Sequence, residues 1–409
     1  MDSHNKISNK YQYGGEMEME KTIQYSFDKI IKEDIPVFCD MLSYVSPYIN
    51  STIRKEDMVD ILVDEGHEAE VIEKVDYLVE IMKMDEVRKK RDVSIKTIKN
   101  FMNVPINMKP IFDELINSRT VIPTCDGAYA YSGVFLDVFN YFCRKIDSFG
   151  KQTFGDIKQY ELPDLYPIDK YEQGGYFESF PHYMMFQATL CNDITMIEEY
   201  SKLASKSGEI LKYIQTPQNV LRHAACVPVY PLYENAVIDD DQPINILVSG
   251  KCFRNEGNNV FELARLKEFY MKEYVFIGTE KQTHEGIKKA RQLWDYWIDT
   301  FKLNGEIDTA NDSFFASNYK KLKIFQIIGD SKQEFRLLLP SSNTLCASSS
   351  ANIHRTHFTK RYNIRNKEGY CSTSCFAFGV ERLTYSLLSQ KGIEPEKWDK
   401  ATRNEIYGK

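Results

Sequence analysis

Long apolar runs are missing from this 409-residue chain. No stretch approaches the roughly 20 consecutive apolar residues that a membrane-spanning helix needs, so no membrane partner is expected. An excess of positive charge is missing as well. The chain has 52 Lys and Arg against 59 Asp and Glu, a formal net charge of −7. A bulk electrostatic grip on nucleic acid requires a basic surface, which argues against such a partner. Dense cysteine spacing is also absent. Nine cysteines are scattered without a disulfide framework or a CxxC knuckle, the usage of reduced thiols in the cytoplasm. The N-terminal stretch MDSHNKISNKYQYGGEMEMEK is polar and acidic, unlike a signal peptide. A cytoplasmic protein is expected. No internal repeat or low-complexity tract is visible.

What is present has two textures. Residues 1–20 read as a flexible tail. Residues 21–110 read as a small helical N-terminal domain, open to a winged-helix reading. Within it RKEDMVDILVDEGHEAEVIEKVDYLVEIMKMD suggests two amphipathic helices broken at Glu65-Gly66. A basic run, EVRKKRDVSIKTIK, follows. A recognition helix at EAEVIEKVDYLVEIM would be acidic where phosphate contact needs Lys or Arg, which favours an acidic domain docking on protein. NVPINMKP, with two prolines, reads as a linker. Residues 111–409 form the second part, dense in Tyr and Phe. Strand-like runs (INILVSGKCF, EYVFIG, KIFQIIG, EFRLLLP, YCSTSCFAFG) alternate there with helices. Hairpins outnumber strand–helix–strand units, so the expected class is α+β, an antiparallel sheet flanked by helices.

Two stretches concentrate chemistry. In CFRNEGNNVFELARLKEFYMKEYVFIG, Arg254 and Glu256 are two apart, while Arg265, Phe269 and Glu273 are each four apart. On paired strands such residues share a face. Two guanidinium forks, an aromatic plate and two carboxylates would suit a nucleoside triphosphate. Cross-strand ion pairs on an exposed hairpin explain the same letters. In CFAFGVERLTYSLLSQKG a strand closes at Gly379 and a helix starts near Val380, with Arg382 in its first turn. A helix N-terminus favours an anion, and an ordinary helix start would look alike.

Taken together the stretches resemble motifs 2 and 3 of class II aminoacyl-tRNA synthetases. The helix GVFLDVFNYFCRKI and a strand closing at ELPDLYP suit motif 1, which in that family builds a homodimer interface. The Arg, Phe, Glu spacing of the return strand is similar to that of the seryl enzymes. A narrower resemblance spans most of residues 120–392. It is to the amino acid:carrier protein ligases, shortened relatives of the atypical seryl-tRNA synthetases of methanogens. DGAYAYSGVFLDV, GGYFESFP, HAACVPVYPLY, CFRNE, MKEYVFIGT, DTANDSFF, NIHRTHF and CSTSCFAFGVERL carry it.

The resemblance implies roles. Arg254 would clamp the α-phosphate of ATP and the substrate carboxylate, Glu256 would meet the adenine amine, and Phe269 would stack on the ring. Arg265 and Arg382 would hold the γ-phosphate. Cys226, Glu273 and Cys375 would bind zinc and leave a fourth position open for the α-amine, where ordinary seryl enzymes have Thr-x-Glu in place of Ala224-Ala225-Cys226. Cys371, in a CxxxC pair with Cys375, is an alternative ligand. Ser350 and Asn352 would line the pocket for a small amino acid. Mg2+ has no carboxylate at the family's usual position, where Ala347 stands. The implied activity is adenylation of a small amino acid, then transfer to the phosphopantetheine thiol of an acyl or peptidyl carrier protein. Aminoacylation of tRNA and a non-catalytic paralogue are the alternatives. The chain lacks the long basic coiled coil of ordinary seryl enzymes and its N-terminal region is acidic, so tRNA is not the expected acceptor. Lys288, Lys289 and Arg291, beside Trp294 and Trp297, offer a basic helix for an acidic carrier.

Overall fold

The computed structural model describes residues 20–84, 95–102, 104–203, 207–310 and 332–408. They fall into two compact units, Met1–Met84 and Asp85–Lys409.

In the first unit, β1 (Glu20–Ser26), α1 (Ile35–Leu42), β2 (Ile49–Arg54), β3 (Met58–Asp64) and α2 (Glu68–Met84) follow one another. The strands form an antiparallel sheet in the order β1-β3-β2. In MVDILVD, Val59, Ile61 and Val63 are buried and their neighbours half-exposed. A two-residue period of β-branched side chains is a strand signal, so the helix expected before Gly66 is a strand. Gly66, at φ +91°, makes the turn into α2. Among its described residues the unit is therefore mixed, with three strands and two α-helices, rather than helical.

The boundary also differs from position 110. β4 (Thr97–Asn100) pairs with a strand of the second unit. In the segment expected to be a linker, the Val104 N–H donates to Asn304 Oδ1 at 3.1 Å and Asn107 Nδ2 to the Ser389 carbonyl at 3.0 Å. Most of the basic run, residues 86–94, lies outside the described residues, and its end is β4.

The second unit is built on one sheet. Its further elements are α3 (Gly133–Phe154), β5 (Lys158–Glu161), β6 (Ile244–Phe253), β7 (Glu268–Gly278), α4 (Glu280–Phe301), β8 (Gly305–Thr309), β9 (Lys332–Leu339), β10 (Thr344–Arg355), β11 (Ser372–Gly379) and α5 (Val380–Lys391). The eight strands run β4-β8-β9-β10-β11-β7-β6-β5, antiparallel except at the β6–β5 edge. The α+β class follows. The strand expected near ELPDLYP is β5, which ends at Glu161, while Leu165–Pro167 joins a separate three-stranded sheet. KIFQIIG and the end of DTANDSFF lie outside the described residues.

Both faces of the sheet are covered, so β6, β7 and β11 are buried along most of their length. On one face α3, α4 and α5 pack Phe142, Trp294, Trp297 and Leu383 against Tyr274, Phe376 and Phe378. α4 opens with a capping box between Thr279 and Gln282. Trp294 and Trp297 are fully buried, so they are core and no part of a docking surface, whereas Lys288 and Lys289 are exposed. On the other face Ile246, Val248, Val275 and Ala377 meet Tyr171, Tyr176, Tyr230 and Phe358 from short helical segments in the connections. No helix among the described residues is long and apolar enough to cross a membrane.

Candidate active site

Register places the candidate side chains on this second face. Cys252 lies opposite Phe269 and Val248 opposite Glu273 on the β6–β7 ladder. Glu273 faces Ala377 and Val275 faces Cys375 across β7–β11, while Ser350 faces Ala377 and Asn352 faces Cys375 across β10–β11. Directly opposed residues of an antiparallel pair project to the same side. Phe269, Glu273, Ser350, Asn352 and Cys375 therefore share one surface, though the sequence separates Phe269 from Cys375 by 106 positions.

Cys226 reaches that surface on a loop clamped from beneath. Arg222, fully buried, pairs with Asp164 at 2.6 Å and donates to the Lys251 and Ser249 carbonyls at 3.0 and 3.2 Å. This fixes the start of His223-Ala224-Ala225-Cys226 on β6. At the loop's end the Cys226 N–H donates to Glu273 Oε1 at 3.0 Å. One donor atom each from Cys226, Glu273 and Cys375 lie within 4.8 Å of one another, and all three residues are buried. The neighbouring Cys375 side chain, and then burial, hold the Cys226 thiol well above its usual range. Cys371 is not in the group, and its carbonyl accepts from Thr359 Oγ1 at 2.6 Å.

The strands are shorter than the sequence pattern suggests. β6 stops at Phe253 and β7 begins at Glu268, so Arg254, Glu256 and Arg265 sit in the connecting loop and not at strand positions. Arg254 donates from Nε to the His223 carbonyl at 3.1 Å. Its guanidinium lies 5.1 Å from the Phe269 ring centre and 5.2 Å from that of Tyr183. Such stacking is attractive for a planar cation. Arg265 pairs with Glu256 through Nε and Oε2 at 2.7 Å, the carboxylate being almost fully buried. Thus the expected adenine and γ-phosphate contacts are joined to each other.

Arg382 stands in the first turn of α5 and donates from Nη1 to the Ala347 carbonyl at 3.0 Å. That turn follows Gly379, which faces Met271, two residues along β7 from Phe269. Arg254 and Arg382 thus arise at the same end of β7. A bulge in β10 skips Ser348, so Ala347 faces Arg336 and Ser350 faces Glu334. Arg336 pairs with Asp308 at 3.2 Å and Glu334 with Lys332 at 3.0 Å.

Sequence reasoning missed several contributors. Arg222 and Tyr183 carry no motif-level signal. Glu381 stands next to Arg382 in GVERL and was readable there. His354, inside NIHRTHF, lies with Nε2 3.6 Å from Cys375 Sγ. Asn352, expected at substrate, also points Nδ2 at that sulfur, at 3.5 Å.

The antiparallel sheet thus carries one arginine on the loop of a long hairpin and another at the start of the helix that follows β11. Residues 214–391 match the family model of the tRNA synthetase class II core domain (G, H, P, S and T). Among relatives, the chain is 28% identical over 256 residues to the type-2 serine–tRNA ligase of Methanocaldococcus jannaschii, covering 60% of this chain and 49% of that one. It is 26% identical over 284 residues to amino acid–[acyl-carrier-protein] ligase 1 of Bradyrhizobium diazoefficiens, covering 68% and 84%. The chain thus spans about half the length of the serine–tRNA ligase and most of the carrier protein ligase. In fold it is similar to M. kandleri SerRS, solved in complex with A. aeolicus tRNASec, at TM-score 0.70 and 19% identity, covering 95% of this chain and 77% of that one. Cytoplasmic serine-tRNA ligase from Naegleria fowleri, solved with AMP, matches at TM-score 0.59 and 10% identity, covering 84% and 81%.

Proposed function

We propose that this chain is an ATP-dependent ligase that activates a small amino acid as its aminoacyl-adenylate and transfers it to the phosphopantetheine thiol of a carrier protein. The observation that carries the reading is the convergence of Cys226, Glu273 and Cys375 on the sheet face that also bears Phe269 and adjoins Arg254.

The donor set fits zinc. Two thiolates and a carboxylate buried together without a cation would repel and lack solvation. Bond lengths of about 2.3 Å to sulfur and about 2.0 Å to oxygen put tetrahedral ligand atoms roughly 3.5–3.8 Å apart, compatible with three donor atoms that all lie within 4.8 Å of one another. Cys226, Glu273 and Cys375 would hold the ion, which supplies an electrophilic position for an unprotonated α-amine. Three protein ligands leave that position open.

The remaining residues do the positioning. In the first step a substrate carboxylate oxygen attacks the α-phosphorus, and the bond to the departing pyrophosphate breaks with both electrons. Arg254 holds the two reactants in line and offsets charge as it develops. Phe269 gives the adenine a stacking surface, Glu256 an acceptor for its amine, and Arg265 and Arg382 bind the γ-phosphate. In the second step a thiolate attacks the carbonyl carbon and AMP leaves. Class II synthetases use ATP with Mg2+. With alanine at 347, the carboxylate in register with Ser350 is Glu334, the candidate to meet that ion beside the phosphate oxygens. Ser350 is the pocket candidate for the substrate side chain. A homodimer, built on α3 and β5 as in motif 1, is part of the same reading.

One observation favours a second reading, aminoacylation of tRNA. The fold likeness to the tRNA-bound M. kandleri enzyme covers 95% of this chain, too much to omit the first unit. The expectation that tRNA is not a partner finds no support in the comparisons. Charge speaks against tRNA at the first unit, since residues 20–84 carry fifteen acidic and seven basic side chains, the wrong balance for phosphate.

Amino-acid-dependent ATP–pyrophosphate exchange across a panel led by glycine, alanine and serine names the substrate. Labelled amino acid is then offered to holo carrier protein and to total tRNA. Label on the carrier is expected. Label on tRNA alone would install the second reading, and no exchange with any amino acid would leave a non-catalytic paralogue.

A further inference from the structure

Two nitrogens converge on one sulfur of the candidate metal group. Asn352 Nδ2 lies 3.5 Å from Cys375 Sγ and His354 Nε2 lies 3.6 Å from it. Both side chains come from β10, the strand paired with β11, and Asn352 sits directly opposite Cys375. Sulfur is large, so these are hydrogen-bonding separations.

The direction of the histidine contact follows from its other nitrogen. Nδ1 has the Tyr230 hydroxyl at 3.4 Å and the Thr373 hydroxyl at 3.4 Å. Tyr230 is fully buried, and a phenol near neutral pH carries its proton. Given a donor at Nδ1, a neutral imidazole bears its own hydrogen on Nε2, facing the sulfur. Asn352 is braced as well, its amide also reaching Ser350 Oγ at 3.1 Å. Neither residue's chemistry is needed for ATP, and each is spent on Cys375.

We infer that Asn352 and His354 are positioning residues for Cys375, fixing its rotamer and donating two N–H···S bonds that make its thiolate a weaker electron donor. Resting on the zinc reading, this assigns to β10 the tuning of the metal: a less donating sulfur leaves the ion more electrophilic and better able to take a neutral amine. Neighbours that hydrogen-bond a ligand set its orientation and the properties of the ion it holds.

Cobalt substitution separates the two layers of the inference. Metal-free full-length protein is titrated with Co2+, and the near-ultraviolet sulfur-to-cobalt absorption and competition by Zn2+ are recorded. The wild type is expected to show the thiolate band. His354→Phe and Asn352→Leu are expected to move the band to lower energy and weaken Zn2+ binding by roughly 10- to 100-fold. His354→Gln, which keeps an N–H donor, is expected to leave the band in place, and Asn352→Leu gives an independent reading if His354→Phe does not fold. An unchanged band and affinity in the variants, with the band present in the wild type, overturns the positioning role alone. No band in the folded wild type overturns the metal reading beneath it.

Discussion

The Tyr270 backbone N–H donates to both carboxylate oxygens of Glu381, at 2.9 and 2.8 Å. Tyr270 follows Phe269 on β7, and Glu381 precedes Arg382 on α5, so this contact ties the aromatic plate to the second arginine. Glu381 is 1% exposed. Burial pushes its carboxyl up to about 7, against the pull of the Tyr270 N–H.

A stability signature follows from that shift. The folded protein keeps a proton on Glu381 where the unfolded chain has lost it, so the stabilising contribution is complete below about pH 4.5. It fades as the pH rises and is gone above about 7. The full change amounts to about 3 kcal/mol. Denaturant unfolding at pH 5 and pH 8 is expected to show a smaller decline for Glu381→Gln than for wild type. Equal declines would mean that Glu381 keeps its charge in the folded state.

Arg254 and Phe269 are expected to respond differently. On the proposed reading Arg254 acts on charge that develops during attack, so Arg254→Ala should lower the exchange rate by roughly 100-fold or more. Phe269→Leu removes the ring but keeps apolar bulk, and should raise KM for ATP several-fold with kcat nearly unchanged, as loss of uniform binding does. A kcat defect in Phe269→Leu would place that ring at the reacting atoms instead of at the base.

Much of this site was legible in order and little of it in space. The resemblance named Arg254, Phe269, Cys226 and Cys375 because each stands in a distinct string of letters. It could not reveal that Arg265 leaves the strand, because periodicity continues through LARLKEF while the ladder stops at Glu268. In MVDILVD a period of two was overridden by the helical texture on either side. β4 was hidden for a related reason: all four of its residues are exposed, so no apolar alternation marks TIKN, and only pairing with β8 makes it a strand. Contacts such as His354 to Cys375 depend on strand register, which no local pattern encodes.

Gly250 tests the clamp under Cys226. Its φ of +142° disfavours other residues, and a Cβ there would stand 1.8 Å from Arg222 Nη2. Gly250→Ala therefore has to displace a buried guanidinium from Asp164 and two carbonyls, and leaving a buried charge unpaired costs about 3–5 kcal/mol. A drop in unfolding free energy of that order is expected, with weakened metal binding wherever the variant folds, because Cys226 loses its anchor. Wild-type stability in Gly250→Ala would show that Arg222 does not depend on this fit.

Metal removal gives the final expectation. Cys226 and Cys375 come from a loop and a strand far apart in sequence, and both meet Glu273 on β7. A shared ion would cross-link three elements of the sheet face and stabilise the fold by the linkage between binding and folding. Dialysis against a chelator is expected to lower the melting temperature and abolish amino-acid-dependent exchange, with Zn2+ restoring both. Cys226→Ser should reproduce the loss and resist rescue, since a hydroxyl is a poor ligand beside a thiolate. The two effects should appear together, because in the proposed reading the same three side chains would hold the ion and face the substrate. Full exchange in protein shown by elemental analysis to be metal-free would remove zinc from the reaction while leaving the arginine and phenylalanine assignments standing.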